Sequence, residues 1–81
     1  MKNEIVLYTR KGCCLCEEMK EIVRSVTARR ALDWREIDVD EDETLRERYG
    51  HEVPVLFVNG RKAFKYRVTA KELERHLSQR A

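Results

Sequence analysis

The 81 residues leave room for one small domain, expected to span 1–81, and for no second one. A composition of 42% hydrophobic and 40% charged residues fits a packed core under a densely charged surface and excludes a disordered segment. Lys and Arg number 17 and Asp and Glu 15, so a net charge of +2 provides no basic field for nucleic acid, and no apolar run approaches the length of a membrane span. Met1-Lys2-Asn3-Glu4 lacks the apolar region of a signal peptide, and the compartment expected is a reducing cytoplasm.

Residues 4–9, rich in Ile, Val, Leu and Tyr, read as a buried strand. Thr9-Arg10-Lys11-Gly12 is a loop, in which Gly12 allows a sharp turn. From Cys14 onward, Leu15, Met19, Ile22, Val23 and Val26 recur at steps of three and four, which predicts an amphipathic helix to about Ala28. Glu17 and Glu18 near its start and Arg29 and Arg30 near its end suit the helix dipole. A second strand follows at Trp34–Asp38. Asp40-Glu41-Asp42 offers caps for a short helix to about Tyr49, with Gly50 as its stop.

Val55-Leu56-Phe57-Val58 is the strongest strand signal, a continuous apolar run suited to burial on both faces. Asn59-Gly60 predicts a tight hairpin, with Arg61 to Tyr66 as the antiparallel partner. Thr69-Ala70-Lys71-Glu72 is a capping box that opens a last helix with Ala70, Leu73 and Leu77 on its apolar face. The order is β-α-β-α-β-β-α. Its first half implies parallel pairing through a right-handed crossover, and the whole predicts an α/β fold with a four-stranded mixed sheet and three helices.

All three cysteines fall within Cys13-Cys14-Leu15-Cys16, where the first strand hands over to the first helix. The opening N–H groups of a helix lack internal partners and carry partial positive charge, so a thiolate there is stabilised. Residues three apart share a helix face, so the sulfurs of the Cys13–Cys16 pair can reach one another. The pattern is also half of a zinc site, but the remaining ligand types are Cys14, His51 and His76, with no paired histidine spacing, and the balance favours redox chemistry. Cys14 is an inert small residue, a third exchanging thiol or a ligand in a dimer-bridging cluster, and the first is the simplest. Arg10 and Lys11 either favour the Cys13 thiolate or are plain loop charges. His51 reads as a loop residue, Trp34 as core or sheet surface, and Met19 as core packing.

Taken together, these residues resemble the glutaredoxin-like family of the thioredoxin fold. The resemblance rests on the strand, Cys-x-x-Cys and helix of residues 5–28, on Glu52-Val53-Pro54-Val55-Leu56-Phe57, and on Asn59-Gly60. From the sequence alone Pro54 is a strand-edge proline. The resemblance implies a thioredoxin-like fold, a cis Val53–Pro54 bond beside the cysteines, and pairing of the Val53 backbone with an extended substrate. It implies a thiol–disulfide oxidoreductase with Cys13 and Cys16 catalytic and Lys11, Leu15, Val53 and Pro54 as substrate-binding residues. No metal ligand and no cofactor is expected.

Two departures stand out. The middle pair is Cys14-Leu15 where glutaredoxins usually have Pro-Tyr. Phe64-Lys65-Tyr66-Arg67 stands where they have a Gly-Gly-x-Asp segment that holds glutathione. This counts against glutathione as the reductant, although Lys65 and Arg67 offer charges for a carboxylate. The expected partners are a disulfide-containing protein or small thiol substrate and a reductase or dithiol donor, with no nucleic acid and no membrane, for a monomeric protein. The alternatives are a metal or iron–sulfur module built on the clustered cysteines and a non-catalytic thioredoxin-fold interaction domain.

Overall fold

The computed structural model describes residues 4–78. The most apolar run of the chain forms β3 (Val55–Val58), which pairs antiparallel with β1 (Ile5–Thr9) on one side and with β4 (Arg61–Lys65) on the other. The free edge of β1 takes β2 (Trp34–Asp38) in parallel, giving the order β2-β1-β3-β4. The helices are α1 (Cys14–Arg30), α2 (Glu43–Tyr49) and α3 (Ala70–Ser78). The element order is the one expected, with a 3₁₀ turn over Val39–Glu41 added ahead of α2.

Side chains alternate across the two central strands and give the sheet two packed faces. Ile5, Leu7, Leu56 and Val58 point to one face and meet Met19, Val23 and Val26 of α1 and Leu73 and Leu77 of α3. Trp34 packs against the margin of this core. On the other face Tyr8 stacks on Tyr49 of α2 at 5.1 Å between centroids, and Phe57 meets both rings edge-on. Burial on both faces explains why β1 and β3 read as unbroken apolar runs, while the edge strands β2 and β4 carry charges. The surface pair Arg29–Glu74 joins α1 to α3 at 2.8 Å, but exposed pairs contribute little beside this core.

Two local endings differ from expectation, and a third falls where expected. First, α1 runs two residues past Ala28 and stops at Ala31, which adopts a left-handed φ of 55° while the Leu32 N–H donates to the Thr27 carbonyl at 2.9 Å. Second, Gly50 closes α2 after Tyr49, as expected, with a right-handed φ of −56°. A Cβ there would collide with the Arg46 carbonyl oxygen. Third, β4 ends at Lys65, because Tyr66 turns to φ 69° and leaves the ladder.

Leu56 is fully buried between α1 and α3. Leu56→Ala should therefore lower unfolding free energy by about 2–5 kcal/mol in urea titrations. A loss below about 1 kcal/mol, the size of a typical surface effect, would place the core elsewhere.

Candidate active site

The sheet topology gathers the site. Since β3 is antiparallel to β1 and β4 to β3, the end of β1, the start of β3 and the end of β4 share one end of the sheet. The loop carrying Cys13 leaves that end, Val53-Pro54 enters it, and Tyr66-Arg67 departs from it. The Val53–Pro54 bond is cis, as the resemblance implied. Pro54 is buried, and its carbonyl accepts the Tyr66 N–H at 2.9 Å.

Gly12, at φ 75°, makes the turn that a side-chain-bearing residue would resist. It delivers Cys13 to the N-cap of α1 with extended backbone angles. There the Cys13 sulfur accepts the Cys16 N–H at 3.1 Å, taking the part that Ser, Thr or Asp oxygens usually take at this position.

Cys16, one turn along, is fully buried, whereas Cys13 is half-buried and Cys14 exposed. All three are free thiols. Burial pushes the Cys16 thiol up to about 12. A hydrogen bond with the Cys13 sulfur and charge repulsion from it add to the rise, and the Arg10 backbone N–H opposes it in part. The two sulfurs are thus unlike, one half-exposed and capped by an N–H, the other enclosed and held as a thiol.

A polar tie anchors α1 behind the cysteines. Lys20 bridges Glu36 of β2 at 3.0 Å, and Glu36 also accepts the hydroxyl of buried Thr9 at 2.9 Å. Burial pushes the Glu36 carboxyl up, but hydrogen bonds from Lys20 and Thr9 outweigh it and hold it below the usual range. The same contact with Glu36 raises Lys20.

The remaining candidates are scattered around this centre. Leu15 is half-buried in the first turn of α1, Val53 half-buried, and Lys11 exposed in the turn before Gly12. The Arg10 side chain pairs with Asp40 at 2.9 Å and reaches the Gly50 carbonyl at 3.3 Å, so its charge braces the 3₁₀ turn and the end of α2. His51 lies exposed in a turn, and Met19 is core. Among the described residues, no group of three or more His, Cys, Asp or Glu side chains is arranged to hold a metal ion, and no helix is long and apolar enough to cross a membrane. Sequence reasoning missed the left-handed Tyr66, which it placed inside a strand, and the Lys20–Glu36–Thr9 tie, whose residues come from three separate elements.

Comparisons with known proteins bear on the family and the fold. The family model described as Glutaredoxin-like domain (DUF836) matches residues 4–78. Among solved structures, XcR50 from X. campestris is similar at 30% identity, over 93% of this chain and 96% of that one, with a TM-score of 0.78. Ne2328 from Nitrosomonas europaea is similar at 28% identity, over 94% and 92% of the two chains, with a TM-score of 0.77. Reduced desulfothioredoxin from Desulfovibrio vulgaris Hildenborough, at 22% identity over 98% of this chain and 82% of its own, shares the fold with a TM-score of 0.73. With a thioredoxin fold and a family match that runs from the first strand to the last helix, the chain belongs to the glutaredoxin-like domain family.

Proposed function

We propose that the protein is a thiol–disulfide oxidoreductase in which Cys13 attacks and Cys16 resolves. The observation that carries this reading is the Cys13 sulfur at the N-cap of α1, accepting the N–H of a buried Cys16 at 3.1 Å. In the first step the Cys13 thiolate attacks one sulfur of a substrate disulfide. A Cys13–substrate disulfide forms, the substrate S–S bond breaks, and the departing sulfur takes a proton from solvent. In the second step Cys16 attacks the Cys13 sulfur, the Cys13–substrate bond breaks, and the Cys16 proton leaves with the released thiol. Two electrons have passed to the substrate, and Cys13–Cys16 is oxidised.

The burial that holds Cys16 as a thiol keeps it from competing in the first step. Once Cys13 is in the mixed disulfide its negative charge is gone, and so is the repulsion that opposed ionisation of Cys16. An external dithiol donor completes the cycle. Glutathione suits the site less well, because Phe64 and Lys65 stand where the family's paired glycines admit its backbone. Lys11, Leu15, Val53 and the cis Pro54 border the path of the substrate. Each step needs one copy of the chain, and a reducing cytoplasm would keep the pair cycling.

Three serine variants test the division of labour in an insulin-reduction assay with dithiothreitol. Cys13→Ser should drop to the uncatalysed background. Cys16→Ser should accumulate mixed disulfides visible by intact mass. Cys14→Ser should keep most of the wild-type rate. A Cys14→Ser variant as inactive as Cys13→Ser would mean that the wrong pair has been chosen.

The raised Cys16 thiol also sets a pH dependence. In the unfolded chain it ionises near 9.0, in the folded protein near about 12. Between these values the folded state holds the extra proton, so the stability from burying the neutral thiol is complete below pH 9 and lost as pH rises toward 12. Urea midpoints of the reduced protein should fall across this window more steeply in wild type than in Cys16→Ser. Parallel slopes would show that Cys16 is not held as a thiol.

A further inference from the structure

A groove of about 450 Å³ lies between α1, from its first turn onward, and the segment that joins β4 to α3. Its floor is apolar. Leu15, Met19 and Ile22 follow one stripe of α1, and Val68 and Tyr66 form the opposite wall. Leu15, in the first turn of α1, places one end of the groove next in sequence to Cys14 and Cys16. Its volume suits one or two side chains.

Tyr66 is the unusual part of the wall. It is 42% exposed, a large apolar surface left open at the mouth of an apolar groove. It also holds a left-handed φ of 69°, which a residue with a Cβ resists. Two hydrogen bonds fix it there. Its own N–H donates to the Pro54 carbonyl at 2.9 Å, and the Arg67 N–H donates to the Lys65 carbonyl at 2.8 Å. The wall is thereby tied to the proline loop at the same end of the sheet.

The rim is acidic. Glu18, Glu21 and Glu72 line the groove with Arg67, and the Lys65 ammonium lies over the Tyr66 ring at 5.3 Å, so carboxylates outnumber cations three to two. Glu21 is engaged with Arg24 at 3.0 Å, and Glu72 serves as the cap of α3. Glu18 is held only loosely. It faces Arg67 at 3.7 Å, with both side chains mostly exposed, a kind of pair that contributes little and yields readily to an incoming cation.

We propose that this groove selects protein disulfides in which the cysteine is flanked by an apolar residue and then a lysine or arginine. The inference rests on the oxidoreductase reading above. The apolar side chain lies on Leu15, Met19 and Ile22 against the Tyr66 ring, and the cation takes Glu18 from Arg67. Glutathione disulfide, whose tripeptides each carry two carboxylates against one ammonium and so a net negative charge, meets the acidic rim with the wrong sign.

The test uses the whole protein and disulfide-linked dimers of three pentapeptides: Lys-Leu-Cys-Leu-Lys, Glu-Leu-Cys-Leu-Glu and Lys-Ser-Cys-Ser-Lys. Each kcat/KM is divided by the uncatalysed rate of the same peptide with dithiothreitol, which removes the effect of neighbouring charge on the leaving sulfur. The lysine–leucine peptide should exceed the glutamate–leucine peptide by at least about fivefold and the lysine–serine peptide by about tenfold, mainly through KM. In Glu18→Lys the preference for lysine over glutamate should disappear or invert. In Ile22→Ser the preference for leucine over serine should shrink. Equal normalised values for the three peptides in wild type would overturn the proposal. So would a lysine preference that survives Glu18→Lys. Wild-type turnover of neutral hydroxyethyl disulfide separates the two readings: if it is absent, the oxidoreductase reading itself fails, and if it is present with no peptide preference, only the groove assignment does.

Discussion

One short contact organises the catalytic end of the molecule, the 3.1 Å hydrogen bond from the Cys16 N–H to the Cys13 sulfur. It satisfies a helix-end donor that otherwise lacks a partner, and it does so with the sulfur proposed to attack. In that proposal cap and reactive group are one side chain. The arrangement requires α1 to start at Cys14, directly after the left-handed turn at Gly12. It also requires that start to be held against the sheet. The core under Met19, Val23 and Val26 does this on one side, and the Lys20–Glu36–Thr9 tie does it on the other.

The same contact separates the roles of the cysteines. Cys13 and Cys16 are three residues apart on one helix, yet they differ in solvent access because one is the cap and the other faces the core. Desolvation makes ionisation costly at Cys16, and a neighbouring sulfur charge makes it more so. In the proposed cycle, formation of the mixed disulfide at Cys13 removes that repulsion. Arg10 takes part through its backbone rather than its guanidinium, which is occupied with Asp40.

Much of this was legible in the sequence, because the signals were local. The Val55–Val58 run, the Thr69–Glu72 capping box and the Asn59-Gly60 hairpin each have a short-range cause. In the structure Glu72 and Thr69 exchange the hydrogen bonds of a capping box, and Asn59 and Gly60 both take positive φ, 55° and 80°. The unread features depend on tertiary context. Ala31 and Tyr66 sit at left-handed angles that glycine or asparagine usually marks, so nothing in the residue types announced the turns. Gly50 stops α2 where the sequence places the stop, and close packing against the Arg46 carbonyl is what requires glycine there. The groove wall was hidden for the same reason: Tyr66 fits the strand pattern, and its left-handed φ is what ends the strand at Lys65.

The central claim is that the Cys13 sulfur, capped by the Cys16 N–H, is the attacking group and that Cys16 is closed off behind it. Site-resolved alkylation measures this most directly. The reduced native protein is treated with limiting iodoacetamide at neutral pH, and the rate at each cysteine is read by peptide mass spectrometry, with Cys14 as an exposed internal reference. The account requires Cys13 to be modified ahead of Cys14 despite its lower exposure, and Cys16 to stay unmodified until the protein is unfolded. Modification of Cys16 at a rate equal to that of Cys13, or of Cys14 ahead of Cys13, would contradict it.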